Sequence, residues 1–245
     1  QLRVRPFSDV IKPLAMNDHA TSVLAVIPAR RGSKGLPLKN LRMLDGLPLI
    51  AYSIRTALAA SLVSTVVVST EDDEIASVAA EHGAIVVRRP AELATDTAQN
   101  NGVVRHVLMA FPGRHRTVVL LQPTSPLRIA ADIDACLQPV LTGTARSAMT
   151  ITPVDHHPGK AVVLSGDLVE PFTTDHDMEA QRQTLREVFR QNGAVYAIGV
   201  DDFLTHDRFY LRPCHGVIVP PQRSIDIDDE LDLALADLTM QRHRP

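Results

Sequence analysis

The sequence predicts an α/β fold, a doubly wound and mostly parallel sheet with helices on both faces. Three observations carry that expectation. Several short runs are apolar or β-branched at nearly every position, among them Val23–Ile27, Thr65–Ser69 and Thr117–Leu121, and strands buried on both faces read that way. Segments of about ten to twelve residues with helical spacing separate those runs. Polar loops follow the strands directly, where ligands sit in sheets of this kind.

Each element can be justified in turn. Val23–Ile27 is a short buried strand that breaks at Pro28. Leu49–Ala60 has helical spacing, with Ile50, Ile54, Ala57 and Leu58 on one face. Thr65–Ser69 is a β-branched run, hence a strand. Asp72–His82 reads as a helix, because acidic residues crowd its start and Gly83 follows its end. Ile85–Val87 is a third strand, Gln99–Ala110 a helix and Thr117–Leu121 a fourth strand. Ala131–Leu141 is helical, Ser147–Ile151 is a strand, and Glu230–Met240 closes the chain as a helix. Residues 1–22 keep no sustained period and read as a poorly ordered tail. They lack the apolar core of about 7–15 residues that a secretory signal needs. Residues 23–245 read as one domain. Three loops should converge beyond the strand ends: Arg30–Asn40, Ser69–Asp72 and Gln122–Pro126.

Composition narrows the function. The 245 residues carry a net charge of −3 and a pI near 6.4, against the basic footprint of nucleic-acid binding. No apolar run approaches the roughly 20 residues that span a bilayer. Cys136 and Cys214 match no metal spacing and suggest a reducing compartment without a disulfide framework.

The most informative stretch is Ala25–Asn40. Its loop holds Gly32, Ser33 and Gly35 together with four cations, Arg30, Arg31, Lys34 and Lys39. Glycine lets backbone N–H groups approach an anion, and the cations add countercharge. The pattern reads as a triphosphate cradle, with a solvated basic loop as the alternative. It is not a P-loop, since G-x-x-x-x-G-K-[ST] is absent, and no G-x-G-x-x-G marks a dinucleotide site. A second cluster is Ser224–Glu230 (SIDIDDE). In a strand Asp226 and Asp228 would point the same way. Paired carboxylates suit a divalent ion such as Mg²⁺, which takes one or two carboxylates plus phosphate oxygens. The alternative is an acidic start for the last helix, and both readings are compatible.

Six ordered motifs carry a family resemblance: IPARRGSKGLPLKN (27–40), RRPAELATDTA (88–98), LLQPTSPLR (120–128), HHPGK (156–160), FRQNGAVYAI (189–198) and SIDIDDELDL (224–233). Over about Val23 to Leu238 the chain resembles the acylneuraminate cytidylyltransferases, the CMP-sialic acid synthetases of bacterial type. The resemblance implies a Rossmann-like nucleotidyltransferase fold with a small dimerisation arm over about 152–190. It implies transfer of CMP from CTP to the anomeric hydroxyl of a sialic-acid-type nonulosonate, with release of pyrophosphate. It implies Mg²⁺, with Mn²⁺ as the alternative, held by Asp226 and Asp228.

Laid onto this chain, the resemblance places Arg30, Ser33, Lys34, Lys39 and Asn40 on the triphosphate. It places Arg89, Asp96 and Asn100 on the nucleoside side. Gln122, Thr124, Ser125, Asn192, Tyr196 and Arg182 fall near the sugar. Lys160 reaches in from a neighbouring subunit, and Phe209 packs at the partner's sugar site or in its own core. Arg30, Lys34, Lys39, Asp226 and Asp228 are the expected catalytic set. The expected assembly is a homodimer, or a tetramer, in a bacterial cytoplasm, with neither nucleic acid nor membrane as partner. Alternative acceptors are legionaminic, pseudaminic or deaminated sialic acids, 3-deoxy-octulosonate or a phosphonate. A catalytically inactive nucleotide-binding protein is the reading from another class.

Overall fold

The computed structural model describes residues 22–242, so the tail expected over 1–22 lies outside the described residues except for Ser22. The chain forms β1 (Val23–Pro28), a small hairpin β2 (Met43–Leu44) and β3 (Leu47–Pro48), α1 (Leu49–Ala59), β4 (Thr65–Thr70), α2 (Asp73–Glu81) and β5 (Ile85–Arg88). It continues through α3 (Asn100–Ala110), β6 (Thr117–Leu120), α4 (Ala130–Leu141) and β7 (Ser147–Pro153). Beyond lie the hairpin β8 (Val162–Ser165) and β9 (Leu168–Pro171), and α5 (Asp175–Glu179). The last elements are β10 (Phe189–Gly199), α6 (Val200–His206), β11 (Cys214–Ile218) and α7 (Glu230–Arg242).

The main sheet has the order β11-β7-β10-β6-β1-β4-β5. β1 runs parallel to β4 and β6, β4 to β5, and β7 to β11. β10 is antiparallel to both β6 and β7, so the sheet is mostly parallel, as the uninterrupted apolar runs require. β10 itself does not read as a strand in the sequence, because Arg190, Gln191, Asn192 and Gly193 break its apolar run.

The two faces follow from period-two alternation. Val23, Ala25 and Ile27 meet Ile50, Ile54 and Ala57 of α1, Ile75 of α2 and Ile133 and Leu137 of α4. Leu24 and Val26 point the other way, onto Val104 and Val107 of α3 and Phe203 of α6. Each fully buried Leu, Ile, Val or Phe contributes roughly 1.5–3 kcal/mol of transfer free energy, so layer packing outweighs helix propensity here. Leu58 departs from its expected place and is 51% exposed. At 3.6 residues per turn it lies about 80° round α1 from Ile50, off the buried stripe. α2 begins as expected: the Asp72 side chain accepts from the Ile75 N–H at 2.9 Å, and Gly83 at φ +90° ends the helix.

A third, smaller core joins distant parts of the chain. Leu36 of the glycine-rich loop, Leu44, Leu49, Ile227, and Leu233 and Ala236 of α7 are buried together. Between Pro153 and Phe189 the chain leaves the main sheet to form the β8–β9 hairpin and α5. Val163, Leu164, Leu168, Val169 and Phe172 of this arm are exposed, while Thr152 and Arg190 still pair with each other in the sheet. Among the described residues no helix is long and apolar enough to cross a membrane.

Phe203 is fully buried, with its ring centroid 5.0 Å from that of Phe209. Phe203→Ala should therefore lower the unfolding free energy by about 3–5 kcal/mol, measured by urea denaturation followed by far-UV circular dichroism. A loss under about 1 kcal/mol would mean that α6 is not part of the cooperative core.

Candidate active site

The site starts where β1 ends. The Ala29 N–H donates to the Ser69 carbonyl at 3.0 Å, and the Arg31 N–H donates to Glu71 Oε1 at 2.7 Å. The loop thus leaves the sheet tied to the turn after β4. Leu36 then plunges into the third core, and Leu38 sits in the left-handed region at φ +54°, a conformation costing of order 1–3 kcal/mol for such a residue. The turn is held by Lys39 N–H to Leu36 carbonyl at 3.1 Å and Leu41 N–H to Leu38 carbonyl at 2.8 Å. Asn40 is buried, and its Nδ2 donates to the Arg30 carbonyl at 2.9 Å. It therefore shapes the loop as well as facing the cleft.

A cleft of about 250 Å³ opens at the carboxyl ends of β1 and β6. Arg30, Ser33, Lys39 and Asn40 line one side, Arg89, Leu93, Thr95 and Asn100 another, and Gln122 and Thr124 a third. Two of the three loops expected to converge do line it. The Ser69–Asp72 turn braces it from behind, through Glu71, which also accepts from Arg89 Nε at 3.0 Å. Arg89 is buried, and burial pulls its titration down against the pull of Glu71. Its Nη1 donates to the Leu93 carbonyl at 3.2 Å, while Nη2 is buried with no partner among the described residues. An unpaired buried donor costs about 1–3 kcal/mol, which a ligand acceptor in this cleft would offset.

The cations of the loop are already paired. Arg30 Nη1 lies 2.6 Å and Lys34 Nζ 2.9 Å from the Asp96 carboxylate. Hydrogen bonds from Lys34 and Arg30 hold that carboxyl below the usual range. Lys34 is 83% exposed and stands outside the cleft lining. Lys39 is only 12% exposed; its Nζ donates to the Ile227 carbonyl at 2.9 Å and to Asp228 Oδ1 at 2.8 Å.

Asp226 and Asp228 lie on an extended segment that is not a ladder strand. The Ile227 N–H donates to the Thr124 carbonyl at 2.8 Å, and Ile227 is fully buried between two exposed aspartates. The period-two argument survives because extended backbone alternates whether or not it is paired. Asp226 is open to solvent on one side and crowded by protein on the other. Desolvation raises its titration, a hydrogen bond from Thr124 lowers it, and the charge of Asp228 raises it further. The helix start is served by the next residue. Asp229 Oδ1 accepts from the Leu231 and Asp232 N–H groups at 2.8 and 3.0 Å, and Asp232 Oδ2 accepts from Asp228 and Asp229 N–H at 2.9 and 3.1 Å. This reciprocal cap leaves the Asp228 side chain to Lys39.

Other expected site residues lie behind or away from the cleft. Ser125 is fully buried, with its hydroxyl donating to the Asn192 carbonyl at 3.4 Å. Asn192 is spent on the core: Oδ1 accepts from Thr150 Oγ1 at 2.6 Å and Nδ2 donates to Ser224 Oγ at 2.9 Å. Tyr196 is half-buried; burial first, then the charge of Asp226, raises its phenol titration. Phe209 packs against Phe203 and Tyr196 in this chain's own core, so the core reading of that residue holds. In the arm, Lys160 Nζ donates to the carbonyls of Met178 and Ala180 at the end of α5, and Arg182 Nη2 donates to the Asp155 carbonyl at 2.8 Å.

Sequence reasoning passed over several supports. Arg128 is buried, its Nη1 donating to Ser53 Oγ at 2.7 Å and its Nη2 to the Gln122 carbonyl. Burial pulls its titration down to about 9, so it remains a cation at neutral pH and fixes the Gln122 loop. Asp132, in the first turn of α4, accepts from Arg223 next to the Ser224–Asp228 segment. An Arg closing LLQPTSPLR and an Asp at N3 of a helix were the available signals.

Two outcomes follow. A Cβ at Gly35 would stand 2.4 Å from the Asp228 carbonyl oxygen, a backbone atom with nowhere to go. Gly35→Ala should weaken tripolyphosphate binding by at least roughly tenfold, because a misplaced loop forfeits its aligned donors; calorimetric titration with tripolyphosphate checks it, and unchanged affinity would show the contact to be slack. Asp96→Asn should instead tighten tripolyphosphate binding roughly two- to fivefold, the range of exposed ion pairs, and more so at low salt. Weaker binding would mean that Asp96 orders the loop more than it competes with the anion.

Comparison with known proteins gives the family and the fold. A model of the cytidylyltransferase family matches residues 24–201. The chain is 35% identical over 226 residues to the CMP-N,N'-diacetyllegionaminic acid synthase of Legionella pneumophila, covering 89% of this chain and 96% of that one. It is 31% identical over 224 residues to the N-acylneuraminate cytidylyltransferase of Escherichia coli, covering 91% of this chain but 53% of that longer protein. The structure of CMP:2-keto-3-deoxy-manno-octonic acid synthetase complexed with CTP superposes with a TM-score of 0.69 at 18% identity, over 91% of this chain and all of that one, and so shares the fold. With the family model spanning the glycine-rich loop and every strand of the main sheet except β11, the chain belongs to the cytidylyltransferase family.

Proposed function

We propose that this chain transfers CMP from CTP to the anomeric hydroxyl of a nonulosonic acid and releases pyrophosphate. The observation that carries the reading is the cleft itself, which gathers loop cations, a buried unpaired guanidinium N–H and the Gln122–Thr124 loop within about 250 Å³, with two carboxylates at its edge. The names of the relatives supply the acceptor class, since they act on legionaminic and acylneuraminic acids.

In this reading the hydroxyl oxygen attacks the α-phosphorus, a new O–P bond forms, and the bond to the bridging oxygen breaks as pyrophosphate leaves. Such a transfer asks the protein for alignment and charge rather than covalent work. Lys39, already fixed by the Ile227 carbonyl, is a preorganised cation for the phosphates. Arg30 can bind two phosphate oxygens at once, once freed from Asp96. The free N–H of Arg89 and the Asn100 amide face the base edge, with Leu93 and Val103 as the apolar wall. Gln122 and Tyr196 flank the acceptor.

Asp226 and Asp228 fit Mg²⁺. They are the exposed residues on either side of buried Ile227 in one segment, and the charge of Asp228 raises the titration of Asp226. Among the described residues no three His, Cys, Asp or Glu side chains converge, so an ion here would draw its other ligands from phosphate and water, as Mg²⁺ does. Bound there, Mg²⁺ would neutralise charge on the phosphate oxygens. The exposed apolar side chains of the β8–β9 arm support a homodimer in which Lys160 and Arg182 serve the partner's acceptor site. CTP as substrate favours a cytoplasmic setting.

The test is pyrophosphate release with CTP and Mg²⁺ across N-acetylneuraminate, its deaminated form, a legionaminic acid, a pseudaminic acid, octulosonate and 2-aminoethylphosphonate. Release with one nonulosonate supports the reading, and silence on every nonulosonate sinks it. Asp228→Ala, at an exposed position, should leave the melting temperature within a few degrees while turnover falls at least roughly a hundredfold, the scale of losing one electrostatic group at a reacting phosphate. Undiminished turnover with Mg²⁺ would overturn the metal assignment.

A further inference from the structure

β10 is broken in the middle by a bulge. Its residues pair with β7 at Phe189–Gln191 and again at Tyr196–Ile198, and between Gln191 opposite Ile151 and Tyr196 opposite Met149 the register shifts. Side chains replace the missing ladder: the Val195 N–H donates to Thr150 Oγ1 at 3.0 Å and the Ala194 N–H to Asn192 Oδ1 at 3.2 Å. At the centre lies Gly193, at φ +79°. A Cβ there would stand 2.9 Å from the Gln122 side-chain oxygen, 3.5 Å from Ser125 Oγ and 3.6 Å from Asp226 Oδ2. Three elements remote in sequence thus meet over one atom-sized space that a side chain would fill.

We propose that Gly193 sets acceptor specificity: its missing side chain lets the Gln122 amide rest against the bulge and present itself to a hydroxyl or carboxylate oxygen of the acid substrate. This rests on the acceptor reading above, and it gives the bulge a role in the site. The nearest atom is the end of a flexible side chain, so a Cβ displaces Gln122 instead of breaking the fold. The glycine-rich loop lines a different side of the cleft from Gln122, and the Cβ stays at ordinary contact distance from Asp226, so the change falls on the acid before the nucleotide.

Two variants separate the blocked space from backbone strain. Gly193→Ala adds a Cβ and an unfavourable positive φ; Gly193→Asn adds a Cβ in a residue that tolerates positive φ. Both should raise the KM of the acid roughly tenfold, the loss of one or two hydrogen bonds, with CTP affinity changed less than twofold, and Gly193→Asn should melt above Gly193→Ala. Gln122→Ala alone should raise the same KM, and adding Gly193→Ala to it should cost nothing more, because the Cβ acts through Gln122. An unchanged acid KM in both variants overturns the proposal. So does a loss in Gly193→Ala that Gly193→Asn lacks, and so do additive losses in the double variant. If neither Gly193 variant folds, Gln122→Asn decides, since it withdraws the amide from the bulge; an unchanged acid KM then overturns the proposal. Wild-type protein that turns over no acid sinks the proposed reaction itself, a different failure from turnover insensitive to position 193.

Discussion

The site depends on one fastening, between the glycine-rich loop and the carboxylate segment almost two hundred residues later in the chain. Leu36 and Ile227 share a small buried core with α7, and Gly35 lies flat against the Asp228 carbonyl. Burial of two aliphatic side chains, at roughly 1.5–3 kcal/mol each, offsets the cost of bringing cations and carboxylates to one rim. The same contact explains the turn at Leu38. A strained left-handed residue persists only where its surroundings fix both ends, and here Leu36 anchors one end while Lys39, bonded to Ile227 and Asp228, anchors the other.

Charge in and around the cleft is balanced internally. Arg30 and Lys34 share Asp96, Lys39 has Asp228, Arg31 has Asp72 and Arg89 has Glu71. In the proposed reading a polyphosphate would enter by exchanging partners, and its affinity would be the difference between two sets of ion pairs. The exchange is easiest where pairs are exposed, as at Asp96, and hardest at the buried Arg89–Glu71 pair, which belongs to the frame. Lys39 lies between the two: its ammonium is nearly buried while its partner Asp228 is exposed.

Behind the cleft the polar residues form a scaffold. Thr150, Asn192 and Ser224 join β7, the β10 bulge and the carboxylate segment by hydrogen bonds. Arg128 holds the carbonyl of Gln122, and Asp132 holds Arg223. Buried polar groups are costly unless satisfied, so each of these bonds also fixes direction. The Gln122 loop, the β10 bulge and the carboxylate segment are thereby locked to α1, α4 and the sheet.

The sequence by itself determined the parallel core and the chemistry of the loops. Uninterrupted apolar runs such as Thr117–Leu121 mean burial on both faces, and a strand-to-loop step rich in glycine and cations offers donors and countercharge that suit an anion. Asp226 and Asp228 were legible because alternation is a local property of extended backbone. Only the tertiary structure decided which side chains face the cleft. Asn192 looks like a ligand contact in a motif, yet its partners Thr150 and Ser224 come from elsewhere in the chain and consume its hydrogen bonds. Phe209 turns inward for the same reason, since Phe203 waits beneath it. β10 and its bulge stayed hidden because polar residues and a glycine read as a loop until neighbouring strands on both sides supply their hydrogen bonds. Local sequence fixes what a residue can do, and non-local packing fixes where it points.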